Sequence, residues 1–383
     1  MNIRLIDSAH YAQALALRDL TDAALGPHAM QLLVQSAVAA CRGHWNCAVV
    51  VHRAPPVVPV AANYDALGYP PDGAARDARY TRYVTRRRLL RTQTSAMIPG
   101  ALRMLAKARY QDVLLVCPGL TYRRDAIDRL HVGEPHQLDL WRIAQRPLGR
   151  ADLEEMIGLA AQAMLPGARL TLAPACHPYT EDGLEVHADV NGRLVEILEC
   201  GLAAPRVLDK AGLPSAVYRG LAMGIGLDRM LMLRKEIDDI RVLRSEDPRI
   251  AAQMQDLEPW RRPSMMPAIS RDLSLAVSAE ATPEELGDRA REALGLRAVA
   301  VEAIEVLAET PYGTLPAAAR ERLGIGVAQK NVLLRLVIRD LERTLTAEEA
   351  NRLRDDVYAA LHEGGVRSWA SRRARETAGH AEG

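Results

Sequence analysis

Gly220-Leu221-Ala222-Met223-Gly224-Ile225-Gly226-Leu227-Asp228-Arg229, continued by MLMLR to residue 234, holds the reading that decides the fold. The stretch reads as a strand up to Gly226 and as a helix from there to Lys235. Its glycines fall at 220, 224 and 226, the last two at a spacing of two, which suits backbone that must come close to a ligand, though such a glycine pattern alone is a weak sign.

Working outward, strand-like runs cover Asp112–Cys117, His136–Ile143, Arg169–Ala173, Leu184–Val190 and Leu194–Leu198, with one helical pattern at Arg150–Ala163. Strands that follow one another with few crossover helices point to an α+β fold built on an antiparallel sheet flanked by helices. Toward the N-terminus, residues 48 to 62 form a β-branched strand region with proline at its edges, Asn63–Arg79 is a polar loop, and Leu89–Lys107 reads as a helix. Residues 7 to 42 carry helical spacing interrupted at Gly26 and Pro27.

A linker is expected at 259–267 (PWRRPSMMP). After it come strand Arg271–Val277, helix Pro283–Leu294, strands Val299–Leu307 and Val332–Ile338, and helix Ala347–His362. This βαββα order suits a small ferredoxin-like α+β domain. The expected division is therefore 1–258, the linker, 268–370, and a polar tail 371–383.

The chain has 383 residues and a net charge of +1, so no global field favours nucleic acid and any such surface must be local. Five cysteines without a CxxC pair fit a reducing compartment, and the N-terminus lacks the apolar run of a leader, so a cytoplasmic location with no membrane span is expected. Eleven tyrosines and four tryptophans are present, but no phenylalanine at all.

Four further stretches complete the core pattern: LLRTQTS (89–95), YRRD (122–125), HQLD (136–139) and CHPYTEDGLEV (176–186). With VEILECG (195–201), GLAMGIGLDRMLMLR (220–234) and DIRVLRSEDPR (239–249), they resemble in order and spacing a class II aminoacyl-tRNA synthetase, specifically the catalytic core of phenylalanyl-tRNA synthetase. MMPAISRDLSLAV (265–277) and VIRDLERTLTAEEAN (337–351) resemble the ferredoxin-fold anticodon-binding (FDX-ACB) domain of the same family, in an organellar-like single-chain arrangement.

The resemblance implies a ligase that activates phenylalanine, or a close aromatic analogue, with ATP and Mg²⁺ and transfers it to tRNA(Phe). Negative charge builds on the phosphoryl oxygens during such a reaction, so fixed cations should face them. Arg123 would bridge the α-phosphate and the substrate carboxylate, and Arg229 would hold the γ-phosphate; both are expected as catalytic groups. Asp125, His136, Gly224 and Gly226 would complete the ATP site, with Glu196 as the Mg²⁺-binding acid. Gln93, Ser95, Gln137, Asp139, His177, Tyr179, Glu199 and Ala222 would line the amino-acid pocket. Ser95 also suits a helix N-cap. The basic clusters Arg86-Arg87-Arg88-Arg91 and Arg367, Arg372, Arg373, Arg375 are the local candidates for tRNA contact. Either a monomer or a homodimer through Pro55–Asn63 is compatible with the resemblance.

Departures from the family pattern fall into two groups. His177, Tyr179, Pro135, Leu221 and Met223 stand where the family has Phe and follow from avoiding that residue. Gln93, Ile98 and Glu199 stand where the family has His, Gln and Gly, and Phe avoidance does not explain them. They favour a second reading, a paralogue activating another amino acid for a biosynthetic pathway. A non-catalytic tRNA-binding protein is the third.

Overall fold

The computed structural model describes residues 4–124, 128–190, 192–262 and 266–367, which form two compact units. The first comprises residues up to Arg123, Glu134–Leu243 and Pro248–Arg261; the second comprises Arg124, residues 128–133, Arg244–Asp247 and the described residues from Arg262 to 367.

The first unit is built on seven strands in the order β1-β5-β6-β10-β9-β8-β7. Strand β1 spans Ala48–Val51, β5 Asp112–Leu120, β6 His136–Ala144, β7 Leu170–Pro174, β8 Thr180–Val190, β9 Arg193–Ala203 and β10 Arg219–Gly226. All neighbours are antiparallel except β1, which pairs parallel with β5. The sheet is thus mixed, where the sequence suggested an antiparallel one. The long excursion between β1 and β5, with helix Ile98–Ala108 in it, supplies the crossover a parallel pair needs.

That excursion also carries a small antiparallel sheet, β2 (Val57–Pro59), β4 (Arg88–Leu90) and β3 (Tyr83–Thr85). Leu89 and Leu90, expected in a helix, pair instead with Val58 and Val57 and are both fully buried. The helix begins only at Ile98, after a 3₁₀ turn at Thr94–Met97, and ends where Arg109 adopts a left-handed conformation.

Helix Ile98–Ala108 presents Ile98, Ala101, Leu102 and Leu105 to Val113, Leu115, Trp141 and Ile143 of the sheet. Helices Ala29–Trp45 and Arg150–Met164 pack on each other, the first opened by His28, whose Nδ1 accepts the Met30 amide hydrogen. Among the described residues no helix is long and apolar enough to cross a membrane.

In the second unit, β11 (Ile269–Ser278), β12 (Val301–Pro311) and β13 (Gln329–Ile338) form an antiparallel sheet with β13 in the middle. Helix Pro283–Leu294 joins the outer strands, so β13 splits a β-α-β unit. Thr282 caps that helix through the Glu285 amide, and Pro283 opens it. Thr346 and Glu349 form a reciprocal capping box for helix Ala347–Leu361. Leu273, Leu275, Val332, Leu334, Leu286, Leu353 and Val357 make one apolar core. Helix Ala317–Leu323 was not expected from the sequence. The tail from 371 lies outside the described residues.

Candidate active site

The register of the large sheet brings the candidate residues onto one face. Gly224 lies between Asp139 of β6 and Glu199 of β9, and Glu199 in turn faces Glu185 of β8. One step along, Trp141, Ala222 and Gly201 form a second row, and Gln137 faces Gly226. Directly opposed residues share a face, so Asp139 and Glu199 stand two strand spacings, about 10 Å, apart across a glycine.

A bulge completes the arrangement. Val186 pairs with Leu198 but His187 pairs with Glu196, which leaves Ile197 as an extra residue in β9. Without it Glu196 and Glu199 would point to opposite faces. With it both reach the same face, beside Arg229 and His177.

The glycines of this floor differ in why they are glycine. A Cβ at Gly220 would meet Ala203 Cβ at 2.8 Å and Ile143 Cδ1 at 2.9 Å, so packing forbids it. A Cβ at Gly224 would meet nothing nearer than 4.0 Å, and at Gly226 nothing within 4 Å. Packing does not demand glycine at either of the latter positions. Their lack of a side chain keeps a stretch of sheet backbone open to close approach.

Two guanidinium groups flank this floor from different elements. Arg123, just after β5, is oriented by its Nε donating to the Thr92 carbonyl at 2.7 Å. Arg229, in the first turn of helix Leu227–Lys235, donates through Nη1 to the Glu196 carbonyl at 3.0 Å, with the Glu196 carboxylate 3.9 Å away. Burial, then repulsion from Glu199, raises the Glu196 carboxyl above its ordinary range.

Asp139 is 3% exposed and saturated. Its Oδ2 accepts from the Thr94 hydroxyl at 2.6 Å and the Ser95 hydroxyl at 3.3 Å, and its Oδ1 accepts from the Trp141 indole at 3.0 Å. Burial raises its carboxyl to about 6 despite these donors. Around it lies a ring cluster centred on Tyr179, with Trp141 at 6.1 Å, Tyr69 at 6.3 Å and His177 at 5.8 Å between centroids. His177 Nε2 contacts Glu199 Oε2 at 2.8 Å; the pair raises the imidazole and lowers the carboxyl, each through the other.

A model of the family described as tRNA synthetases class II core domain (F) matches residues 48–254, more than half of the chain. The chain belongs to this family. The synthetase core is also similar to curated proteins named phenylalanine–tRNA ligase alpha subunit: 36% identical over 191 residues to that of Nostoc sp. (strain PCC 7120), covering 50% of this chain and 56% of the relative. The corresponding protein of Staphylococcus carnosus (strain TM300) is 35% identical over 210 residues, with 51% and 58% covered. The chain thus spans less than three-fifths of the length of these relatives. Among solved structures, a pyrrolysyl tRNA synthetase, PylSc of Desulfitobacterium hafniense, superposes with a TM-score of 0.45 at 18% identity, over 62% of this chain and 78% of that one.

Of the residues singled out in this synthetase core, Arg123, Arg229, Glu196, Glu199, His177, Tyr179, Gln137, Asp139, Ala222, Gly224 and Gly226 lie on or beside the one sheet face. Gln93 sits at its edge, where its side-chain oxygen accepts from the Tyr69 hydroxyl at 3.0 Å and its amide donates to the Asn63 carbonyl. Gln137 accepts from the Thr94 backbone. Ser95 lies inside the 3₁₀ turn and gives its hydroxyl to Asp139, so it does not cap a helix.

His136 is fully buried and both ring nitrogens are engaged within the protein. Nε2 accepts the Leu20 amide hydrogen at 3.1 Å, which leaves Nδ1 to donate to Asp228 at 3.0 Å. The expectation that its ring meets the nucleotide is therefore corrected: it braces β6 against helix Leu227–Lys235. Asp125 lies outside the described residues. Ile98 packs in the core. Arg91, expected in a basic surface cluster, is 4% exposed, with Nε donating to the Leu120 carbonyl and Nη1 to the Ala54 carbonyl. Arg86, Arg87, Arg88 and Arg367 are exposed; Arg372, Arg373 and Arg375 lie outside the described residues. Trp141, Tyr69 and Asn63 belong to the site and carried no signal in the sequence.

Proposed function

We propose that the chain activates an aromatic amino acid as its adenylate at the expense of ATP and passes it to tRNA, with tRNA(Phe) the acceptor that the relatives' names suggest. The observation that carries the proposal is the pair of guanidiniums, Arg123 and Arg229, over a glycine floor in a synthetase core.

The amino-acid carboxylate attacks the α-phosphorus, pyrophosphate leaves, and a terminal hydroxyl of tRNA then displaces AMP. In the first step charge gathers on phosphoryl oxygens, and guanidinium forks held in advance meet it without reorganisation. Arg123 would bridge the α-phosphate and the carboxylate, and Arg229 would take the far end of the triphosphate. Among the described residues no three-ligand metal cluster exists. That agrees with Mg²⁺ held mainly by phosphates and water with one or two carboxylates, where Glu196 would serve. A cation there would relieve the repulsion from Glu199 that adds to burial in raising the Glu196 carboxyl.

The split β-α-β order of the second unit supports its reading as a ferredoxin-like anticodon-binding domain. ATP–pyrophosphate exchange over a panel of aromatic amino acids, followed by charging of total tRNA, tests the proposal. Exchange should fall by about 10²-fold or more in Arg123→Ala or Arg229→Ala. No exchange with any aromatic amino acid would overturn it. The reading of a paralogue with another substrate draws on one observation, the His177–Glu199 pair.

A further inference from the structure

The pocket carries one polar arrangement for which a plain phenyl ring has no use. Asp139 and Glu199 stand in the same cross-strand row on either side of Gly224, yet their states are opposite. Asp139 is enclosed, with both oxygens taken by Thr94, Ser95 and Trp141. The Glu199 side chain is 42% exposed; Oε2 meets His177, and Oε1 has no hydrogen-bond partner among the described residues.

Glu199 is ionised at neutral pH. His177 holds its carboxyl below the ordinary range, and Arg123 adds to the effect from farther away. Glu185 and Glu196 share this face with it, and Glu196 is itself drawn toward Arg229. His177 is thereby tied to Glu199 on one side and set 5.8 Å from the Tyr179 ring on the other. The result is a wall of aromatic rings, Tyr69, Tyr179, Trp141 and His177, with an ionised oxygen at its rim.

Ring faces accept a flat aromatic side chain, and a carboxylate oxygen accepts a proton donor. A phenyl ring placed there would strip water from Glu199 and return nothing. Phe avoidance accounts for His177 and Tyr179 as substitutes for apolar rings, but it does not put a charge at position 199.

We propose that Glu199, held in place by His177, selects an aromatic amino acid whose ring bears a hydrogen-bond donor, a phenol or an aniline, over phenylalanine. The inference rests on the activation chemistry proposed above.

The test is ATP–pyrophosphate exchange by the full chain with Mg-ATP against phenylalanine, tyrosine, meta-tyrosine, para-aminophenylalanine and para-methoxyphenylalanine. A site that hydrogen-bonds its substrate rejects the analogue lacking the donor, so kcat/KM for a donor-bearing ring should exceed that for phenylalanine by about 100-fold or more. The methoxy compound, equal in reach but without a donor, should be as poor as phenylalanine. In Glu199→Gly and Glu199→Gln the preference should shrink at least tenfold.

Exchange in the wild type that favours phenylalanine over every donor-bearing ring would overturn this assignment and leave the activation reading standing. So would a preference that survives both substitutions. No exchange with any aromatic amino acid would overturn both.

Discussion

Replacing Asp139 by Asn should stabilise the fold at neutral pH and remove a pH dependence that the wild type shows. Asp139 is 3% exposed, and burial raises its carboxyl from 3.8 to about 6. At pH 7.5 the folded chain must therefore keep a carboxylate charged where it prefers a proton. The shift corresponds to about 3 kcal/mol lost relative to the neutral form. In Asp139→Asn the amide keeps the shape. Its oxygen can accept from the Trp141 indole, and its NH₂ can donate to the Thr94 hydroxyl, which is free to rotate. Weaker neutral hydrogen bonds offset part of the gain, leaving about 1–2 kcal/mol.

The pH dependence is the sharper observable. A raised carboxyl means that between pH 7 and pH 5 the folded state takes up a proton that the unfolded state does not. Its stability therefore rises on acidification, by about 1.3 kcal/mol over that interval from this group alone. His28 acts in the opposite sense. Burial lowers it to about 4, so the unfolded state takes up the proton first and stability falls over the same interval. The two effects overlap in the wild type, and the difference between wild type and variant isolates Asp139. Urea unfolding of both proteins at half-unit steps from pH 5 to 7.5 measures it. The variant's advantage should shrink by about 1.3 kcal/mol on going from pH 7 to 5. An advantage independent of pH, or a variant less stable than wild type at pH 7.5, would refute the assignment of a destabilised buried carboxylate.

His28→Gln should flatten the acid limb of the wild-type stability profile by up to about 2 kcal/mol between pH 7 and 5, read by the same unfolding series. Gly220→Ala should destabilise by about 1–3 kcal/mol, because its methyl group would press on Ala203 and Ile143. Gly224→Ala should stay within about 0.5 kcal/mol of wild type in stability yet lose pyrophosphate exchange, since the methyl intrudes only on the open floor. Arg91→Met should cost about 2–4 kcal/mol in thermal or urea unfolding, since the Leu120 and Ala54 carbonyls lose the buried guanidinium that satisfies them.

The parts of the fold that the sequence made legible are those with local causes. Helix Pro283–Leu294 was expected over that same range, and the structure holds it by local means, the Thr282 cap and Pro283 in the first turn, each acting within a few residues. The strand-to-helix passage at Gly220–Lys235 is equally local. Leu89 and Leu90 were misread because two adjacent leucines suit either a helix or a strand buried on both faces. The choice was made by Val57 and Val58, some thirty residues earlier in the chain. Arg91 was misread for a related reason. In a run of arginines nothing local distinguishes the one whose carbonyl partners, Leu120 and Ala54, arrive from elsewhere.

The site divides in the same way. Arg123, Arg229 and the glycines are recognisable by residue type and order, whereas Glu196 and Glu199 are three apart and would point to opposite sides of a regular strand. Only the extra residue at Ile197 turns both toward Arg229 and His177, and that bulge is defined by the partner strand β8. The same register gives physical meaning to the missing phenylalanines. Leu221 and Met223 are buried in the core, where apolar volume is all that the position requires and another apolar residue serves as well. His177 and Tyr179 lie in the ring cluster, where a ring or near-ring is kept. Position 199 belongs to neither case. Its neighbours across the sheet are Gly224 and Glu185, so no packing demand and no avoided residue calls for a carboxylate there. What the carboxylate does is hold His177 beside the ring cluster, and this makes it the residue at which substrate choice should be tested first.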